Sequence, residues 1–279
     1  AAEGVSCNCV FDQKDTMWGA LTKVAQSARA VPIDQAGVLR MVRDSAPPAT
    51  PVAVFGMRNI VKDSFHITHM GVLEETSDGV IGEYLDEAED YRQMTVDCYL
   101  PASLEANPRR VPLFGVTNRD QAFNLGMYLT ASNRLRRQLI DFQTGIEGHI
   151  PGYGDLIRVS HRLLGNEGEQ QVSGDVQAFD GSTLLTLSEP VDHLTDPYII
   201  FRNKYGEPSA TYQAVKVAGQ PRQVTVAGVD ASLFDFSPGY ERIQYVCGDT
   251  STFTADIKVT DIETVSDQAI KITGFVDDA

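Results

Sequence analysis

FGVTNRDQAFNLGMYLTASNRLRRQLIDFQTGIEGHIPGYGDLIRVSH, residues 114–161, sets a helix, a strand and a glycine-rich turn in immediate succession. Thr117-x-x-Asp120 has the form of a capping box with Asp in place of Glu. Ala122, Leu125, Leu129 and Ser132, flanked by Gly126 and Tyr128, recur at helical spacing, so 117–137 is predicted to be a helix with one packing face. Arg134, Arg136 and Arg137 close it, where cations offset the negative end of the helix dipole without any phosphate partner. The small residues Gly126, Ala131 and Ser132 let another backbone approach closely, within the chain or between subunits. GIEGHIPGYGD then reads as a shaped turn into the alternating strand DLIRVSH, its glycines and Pro151 serving backbone geometry.

Working outward toward the N-terminus, DQKDTMWGALTKVAQSAR places Met17, Trp18, Leu21, Val24, Ala25 and Ala28 on one helical stripe. Asp12 and Asp15 supply acids at its start, and the Met17/Trp18/Leu21 stripe is expected to be buried. GVLRMVRD (37–44) alternates as a strand and ends at the proline loop 47–51. Between 52 and 100 short strands follow: VAVFGM, SFHITHM, GVIGEYLD and YRQMTVDCYL. The acid run EYLDEAED (83–90) reads as a solvated hairpin turn.

Toward the C-terminus, from 171 to 278, almost every segment alternates with period two. VSGDVQAFDG, TLLTLSEPV, YIIFRN, TYQAVKVAG, RQVTVAG, RIQYVCG, TADIKVTDIETV and AIKITGFVD are separated by turns such as Asp180-Gly181, Tyr205-Gly206 and Ala218-Gly219. The fold class is therefore α+β: a mixed, β-rich region with two amphipathic helices, followed by a small all-β domain, barrel or sandwich. Residues 1–164 form the first region, with possible internal breaks near 45–52 and 101–113. LLGNEGEQQ (163–171) is the expected linker, and 165–279 the all-β domain.

Composition narrows the function classes. At 42% hydrophobic and 22% charged, the 279-residue chain is globular in type. No apolar run is long enough to span a membrane, and the N-terminus lacks a basic segment followed by an apolar one, so a soluble chain without an export signal is expected. A net charge of -15, from 38 acids spread along the chain against 23 bases, argues against nucleic-acid binding, yet is compatible with a wall that DNA passes without sticking. Four cysteines are too few for a disulfide framework, and Cys7-x-Cys9 lacks the further ligands that zinc requires.

Catalytic signatures are missing: there is no GxSxG, no GxxxxGK followed by Ser or Thr, and no HExxH. His66-x-x-His69 sits on a strand whose period sends the two rings to opposite faces. His149 and His161, with Glu147 and Asp155 to orient them, make a conceivable acid/base pair, but His149 is in a loop and His161 closes a strand. Tyr198, Phe201, Tyr205 and Tyr212 are candidate carbohydrate-stacking residues against the plainer reading of strand core. No catalytic, cofactor-binding or metal-ligating residue is assigned on these grounds.

The opening stretch also resembles the lambda-type host-specificity, or tail tip attachment, proteins of long-tailed bacteriophages. The resemblance rests on Gly115-Val116-Thr117-Asn118-Arg119-Asp120-Gln121-Ala122, on Asn133-Arg134-Leu135-Arg136-Arg137 and on TGIEGHIPGYGDLIRVSH (144–161). The N-terminal helix region and FGMRNIVKDSFHI (55–67) extend it over about residues 5–165, and SGDVQAFDGSTLLTLSEPV is similar to the start of the β-domain that follows in the family. The resemblance implies a non-enzymatic virion protein of the tail tip, assembled in the host cytoplasm as the homotrimeric hub that closes the tail tube. Its implied partners are the distal tail protein ring, the tape-measure protein and a host cell surface receptor, with DNA passing but not specifically bound and no stable membrane insertion. Family members are normally much longer, so this chain is expected to be a fragment or a reduced relative. The alternative is a tail-associated cell-wall hydrolase or a carbohydrate-binding module.

Overall fold

A computed structural model describes residues 5–35, 37–45, 50–69, 77–101, 103–164, 170–237 and 241–276. The expected proline loop 47–51 and linker 163–171 fall partly outside these residues, as do Met70 and Asp277 at the ends of two expected strands. Among the described residues the chain runs α1 (Met17–Ser27), β1 (Ala30–Gln35), β2 (Val38–Arg43), β3 (Ala53–Phe55), β4 (His66–His69), β5 (Gly79–Asp86), β6 (Arg92–Tyr99), β7 (Pro108–Pro112), α2 (Arg119–Leu135), β8 (Gln138–Thr144) and β9 (Leu156–Val159). It continues with β10 (Gln171–Phe179), β11 (Leu184–Leu187), β12 (Tyr198–Arg202), β13 (Tyr212–Lys216), β14 (Gln223–Val226), β15 (Gln244–Gly248), β16 (Ala255–Ser266) and β17 (Ala269–Val276). No helix is long and apolar enough to cross a membrane among these residues.

The chain divides into two compact units, one from 1–46 and 69–137, the other from 47–68 and 138–279. In the first unit α2 covers one face of the sheet β6-β5-β7. Alternation does this directly: Val80 and Tyr84 of β5 and Val96 and Cys98 of β6 point inward to Ala122 and Leu125 of the helix. Gly126 carries no side chain on that face, and Cys98 fills the space beside it. The cap of α2 differs by one residue from the expected capping box. Asn118, not Thr117, is the N-cap, its Oδ1 accepting from the N–H of Asp120 (2.8 Å) and of Gln121 (3.3 Å). Thr117 is buried, and its Oγ1 accepts from Asn8 Nδ2 at 2.9 Å.

α1 overturns a second expectation. Met17 is 81% and Trp18 46% exposed and Leu21 is half-buried, whereas Ala25 and Ser27 are buried, so the start of the stripe faces outward. Its cap is Thr16, which accepts from the Gly19 N–H at 3.0 Å, while Asp15 pairs with Lys23 at 2.8 Å. β1 and β2 form a separate two-stranded antiparallel ribbon in register Ala30↔Arg43 to Gln35↔Val38.

The second unit holds a six-stranded sheet, β3-β9-β16-β17-β8-β4, and a closed barrel, β10-β11-β14-β13-β12-β15. Leu185 and Leu187 of β11 and Val224 and Val226 of β14 fill the barrel interior while the residues between them point out. The all-β domain expected at 165–279 is therefore a barrel over part of that range only. β16 and β17 leave it and join the earlier sheet, β16 pairing Ala255↔Val159 to Lys258↔Leu156 and β17 pairing Ile270↔Thr144 to Phe275↔Leu139. The break considered near 101–113 lies inside the first unit, because β7 there pairs in parallel with β5.

Candidate functional site

The histidines and acids of the turn after β8 do not converge. Glu147, in the helical turn Ile146–His149, is held by Arg202 (Oε2 to Nη1, 2.6 Å), with Thr144 Oγ1 3.3 Å from its other oxygen. Asp155 closes its own turn, Oδ2 accepting from the Gly152 N–H at 2.7 Å. His149 is exposed. His161 lies beyond the end of β9 rather than within it, and stacks on Phe65 with ring centroids 4.0 Å apart. Burial, reinforced by Arg162, lowers the His161 pKa. Gly154 adopts φ +84°, which a side chain strains against, and its N–H donates to Val259 O at 2.8 Å while Asp155 O accepts from Val259 at 2.9 Å. The turn is thus stitched to β16, and its shape is what the sequence encodes there.

Arg202 of β12 was missed by local reading because its partners come from far along the chain. Besides Glu147 it reaches Gln244 Oε1 (3.0 Å), which also accepts from Asn59 Nδ2 (2.7 Å). Asn59 O in turn accepts from Thr144 Oγ1 at 2.8 Å. These bonds tie the barrel to the sheet inside the second unit. Arg202→Ala leaves a largely buried carboxylate unpaired and is expected to cost about 2–3 kcal/mol. Urea denaturation checks it: recovery of most of the loss by Glu147→Gln with Arg202→Met is expected, and an unchanged midpoint for Arg202→Ala counts against the role.

In the first unit the arginines at the end of α2 have separate uses. Arg134 lies in the last helical turn, where it suits the dipole. Arg136 caps the helix and pairs with Asp44 at 2.5 Å, and Tyr128 donates to the same carboxylate. The Asp44 hydrogen bond raises the Arg136 pKa, and burial followed by Asp44 raises that of Tyr128. The acid run of 83–90 ends in an exposed hairpin turn, Glu87–Glu89, capped by Asp86.

The remaining candidates are dispersed. His66 and His69 are exposed at opposite ends of β4. Cys7 and Cys9 are half-buried with sulfurs 3.8 Å apart, and desolvation followed by Cys7 raises the Cys9 pKa. Burial pushes the Cys247 thiol up to about 12 and raises Cys98 as well, which disfavours the thiolates that metals and redox partners take. No group of three His, Cys, Asp or Glu poised for a metal occurs among the described residues. Phe201 is fully buried in the barrel with Tyr212 packed against it, Tyr198 is half-buried, and only Tyr205 of that set is exposed, so the four do not form a stacking platform.

Taken together, the polar side chains of the signature segment hold elements in place, as in a β-rich assembly scaffold. Residues 16–173, more than half of the 279, match the family described as "Putative phage tail protein", and the chain belongs to that family. It is a structural protein of a bacteriophage tail. Over 184 residues it is 24% identical to the "Tip attachment protein J" of Escherichia phage SECphi27, a match covering 64% of this chain. The chain spans about 15% of that relative's length. Among solved structures it is similar to the tail protein from Neisseria meningitidis MC58 (12% identity, 96% of this chain and 57% of that one, TM-score 0.45). It is also similar to a chain in the virion of a native gene transfer agent particle (16% identity, 79% of this chain and 40% of that one, TM-score 0.43).

Proposed function

We propose that this chain is the central hub of a tail tip: a ring of three copies closing the distal end of the tail tube, in contact with the distal tail protein ring and the end of the tape-measure protein. The likeness to a tip attachment protein over most of the chain carries this reading. A net charge of -15, with acids distributed rather than gathered, suits a lumen through which DNA slides without being held. Heterologous contacts that close on themselves supply the ring. Attachment to a host receptor and the release of DNA belong to the same assembly, whose place is the virion tail tip.

Electron microscopy of assembled tails bearing a gold-labelled copy tests it directly. Label at the distal tip is expected, and label along the tube or at the head end sinks the proposal. In the same tails Gly154→Val is expected to abolish incorporation of the protein, since valine resists φ +84°, whereas the exposed His149→Ala is expected to leave tails normal in number and form. Loss of tails with His149→Ala would instead point to chemistry at that ring.

A further inference from the structure

The β1–β2 ribbon leaves apolar side chains uncovered, and one of its faces sets them around an arginine. Residues directly opposite in an antiparallel pair share a face, so the register Val31↔Val42, Ile33↔Arg40 and Gln35↔Val38 puts Val31, Ile33, Val38 and Val42 together around Arg40. On the other face Ala30 and Pro32 are buried, while Leu39 and Met41 are each 50% exposed. On the first face Val31 is 41% and Val38 56% exposed, and Arg40 makes no ion pair among the described residues. A two-stranded ribbon is marginal in water, and an apolar face of this kind favours a cover.

The lone arginine restricts what that cover is. An apolar partner without a carboxylate would bury an unpaired charge, which is costly. A second ribbon laid face to face about a two-fold axis would set Arg40 against Arg40, so an isologous pair is disfavoured. The complementary surface exists on this same chain. At the turn between β5 and β6, Tyr91 is 57% exposed and Leu85 is also exposed, beside Glu87 and Glu89, which make no ion pair among the described residues. The turn is pre-ordered: the Tyr91 N–H donates to Asp86 O at 2.8 Å and the Ala88 N–H to Asp86 Oδ1 at 2.9 Å.

We infer that the β1–β2 ribbon of one copy docks head-to-tail on the acidic β5–β6 turn of a second copy, Arg40 meeting Glu87 and Glu89. This contact rests on the reading that the chain assembles as a ring, and it supplies the heterologous surface such a ring needs.

Cysteine cross-linking of the full chain, with a bismaleimide and the wild-type chain as blank, tests it. Arg40→Cys and Glu89→Cys chains, when mixed, are expected to give covalent dimers, and neither alone to give any. Carrying both changes in one chain is expected to give closed multimers. Dimers from Arg40→Cys alone would mean a two-fold contact and overturn the proposal. Oligomers seen by sedimentation that never cross-link at this pair would overturn the contact while leaving the ring reading intact, and a chain monomeric at every concentration overturns the contact, with tail microscopy then deciding the ring independently. As a second measurement, Arg40→Glu and Glu89→Arg are each expected to weaken association about tenfold, and together to restore it. Additive weakening in the double variant rules the pairing out.

Discussion

Gly126→Val is expected to destabilise the first unit by about 3 kcal/mol or more, the upper range for overpacking a filled core. A Cβ at Gly126 would lie 2.4 Å from Cys98 Sγ and 3.2 Å from its Cβ. Cys98 has no room to retreat: it is fully buried on β6, and its carbonyl accepts from Thr130 Oγ1 at 3.0 Å. Trp18, the one tryptophan of the chain, belongs to the same unit, so denaturation followed by its fluorescence reports the change. Pairing Gly126→Ala with Cys98→Ala, which removes the sulfur, is expected to be milder than Gly126→Val. A wild-type midpoint for Gly126→Val would show that the helix and sheet are not packed as described.

Phe142→Ala is expected to be the most damaging change in the second unit, at about 3–5 kcal/mol for a fully buried phenylalanine cut to its Cβ. Phe142, on β8, is 1% exposed, with ring centroids 5.5 Å from Phe55 and 6.0 Å from Phe65. Phe65 is in turn the ring on which His161 stacks, so the cavity reaches the side of the site where the histidine sits. Hydrogen exchange of β8, β9 and β17 measures it, and Phe142→Leu is expected to lose much less because it keeps most of the volume. Protection unchanged by Phe142→Ala would refute the core assignment.

Much of the fold was legible because its signals are local. Period-two alternation marked the strands from β10 to β17, and Asp180-Gly181 is a turn as read, with Gly181 at φ +87° and Asp180 accepting from three following N–H groups. The helix around Leu125 followed from spacing alone. β1 and β7 were not seen. β7 is short and begins and ends in proline, and it is tolerated because it lies at the edge of its sheet, where a missing N–H costs no ladder bond on the open side. The α1 stripe was read correctly as a stripe and wrongly as buried, since spacing shows which residues share a face and not whether anything covers it.

The candidate site shows the same division more sharply. His149, His161, Glu147 and Asp155 are close in sequence, and proximity alone suggested acid/base work. Glu147 instead answers to Arg202 on β12, and Arg136 to Asp44 before β3, pairings between elements far apart in the chain. Residue type and spacing, acting over a few neighbours, marked both helices and most strands and turns, and the specific run from Gly115 to His161 was sufficient to indicate the family. Which strands lie side by side, that β16 and β17 leave the barrel to complete an earlier sheet, and which charge meets which are matters of long-range closure: they depend on how burial and hydrogen bonding are satisfied for the whole chain at once, and no local window contains that balance.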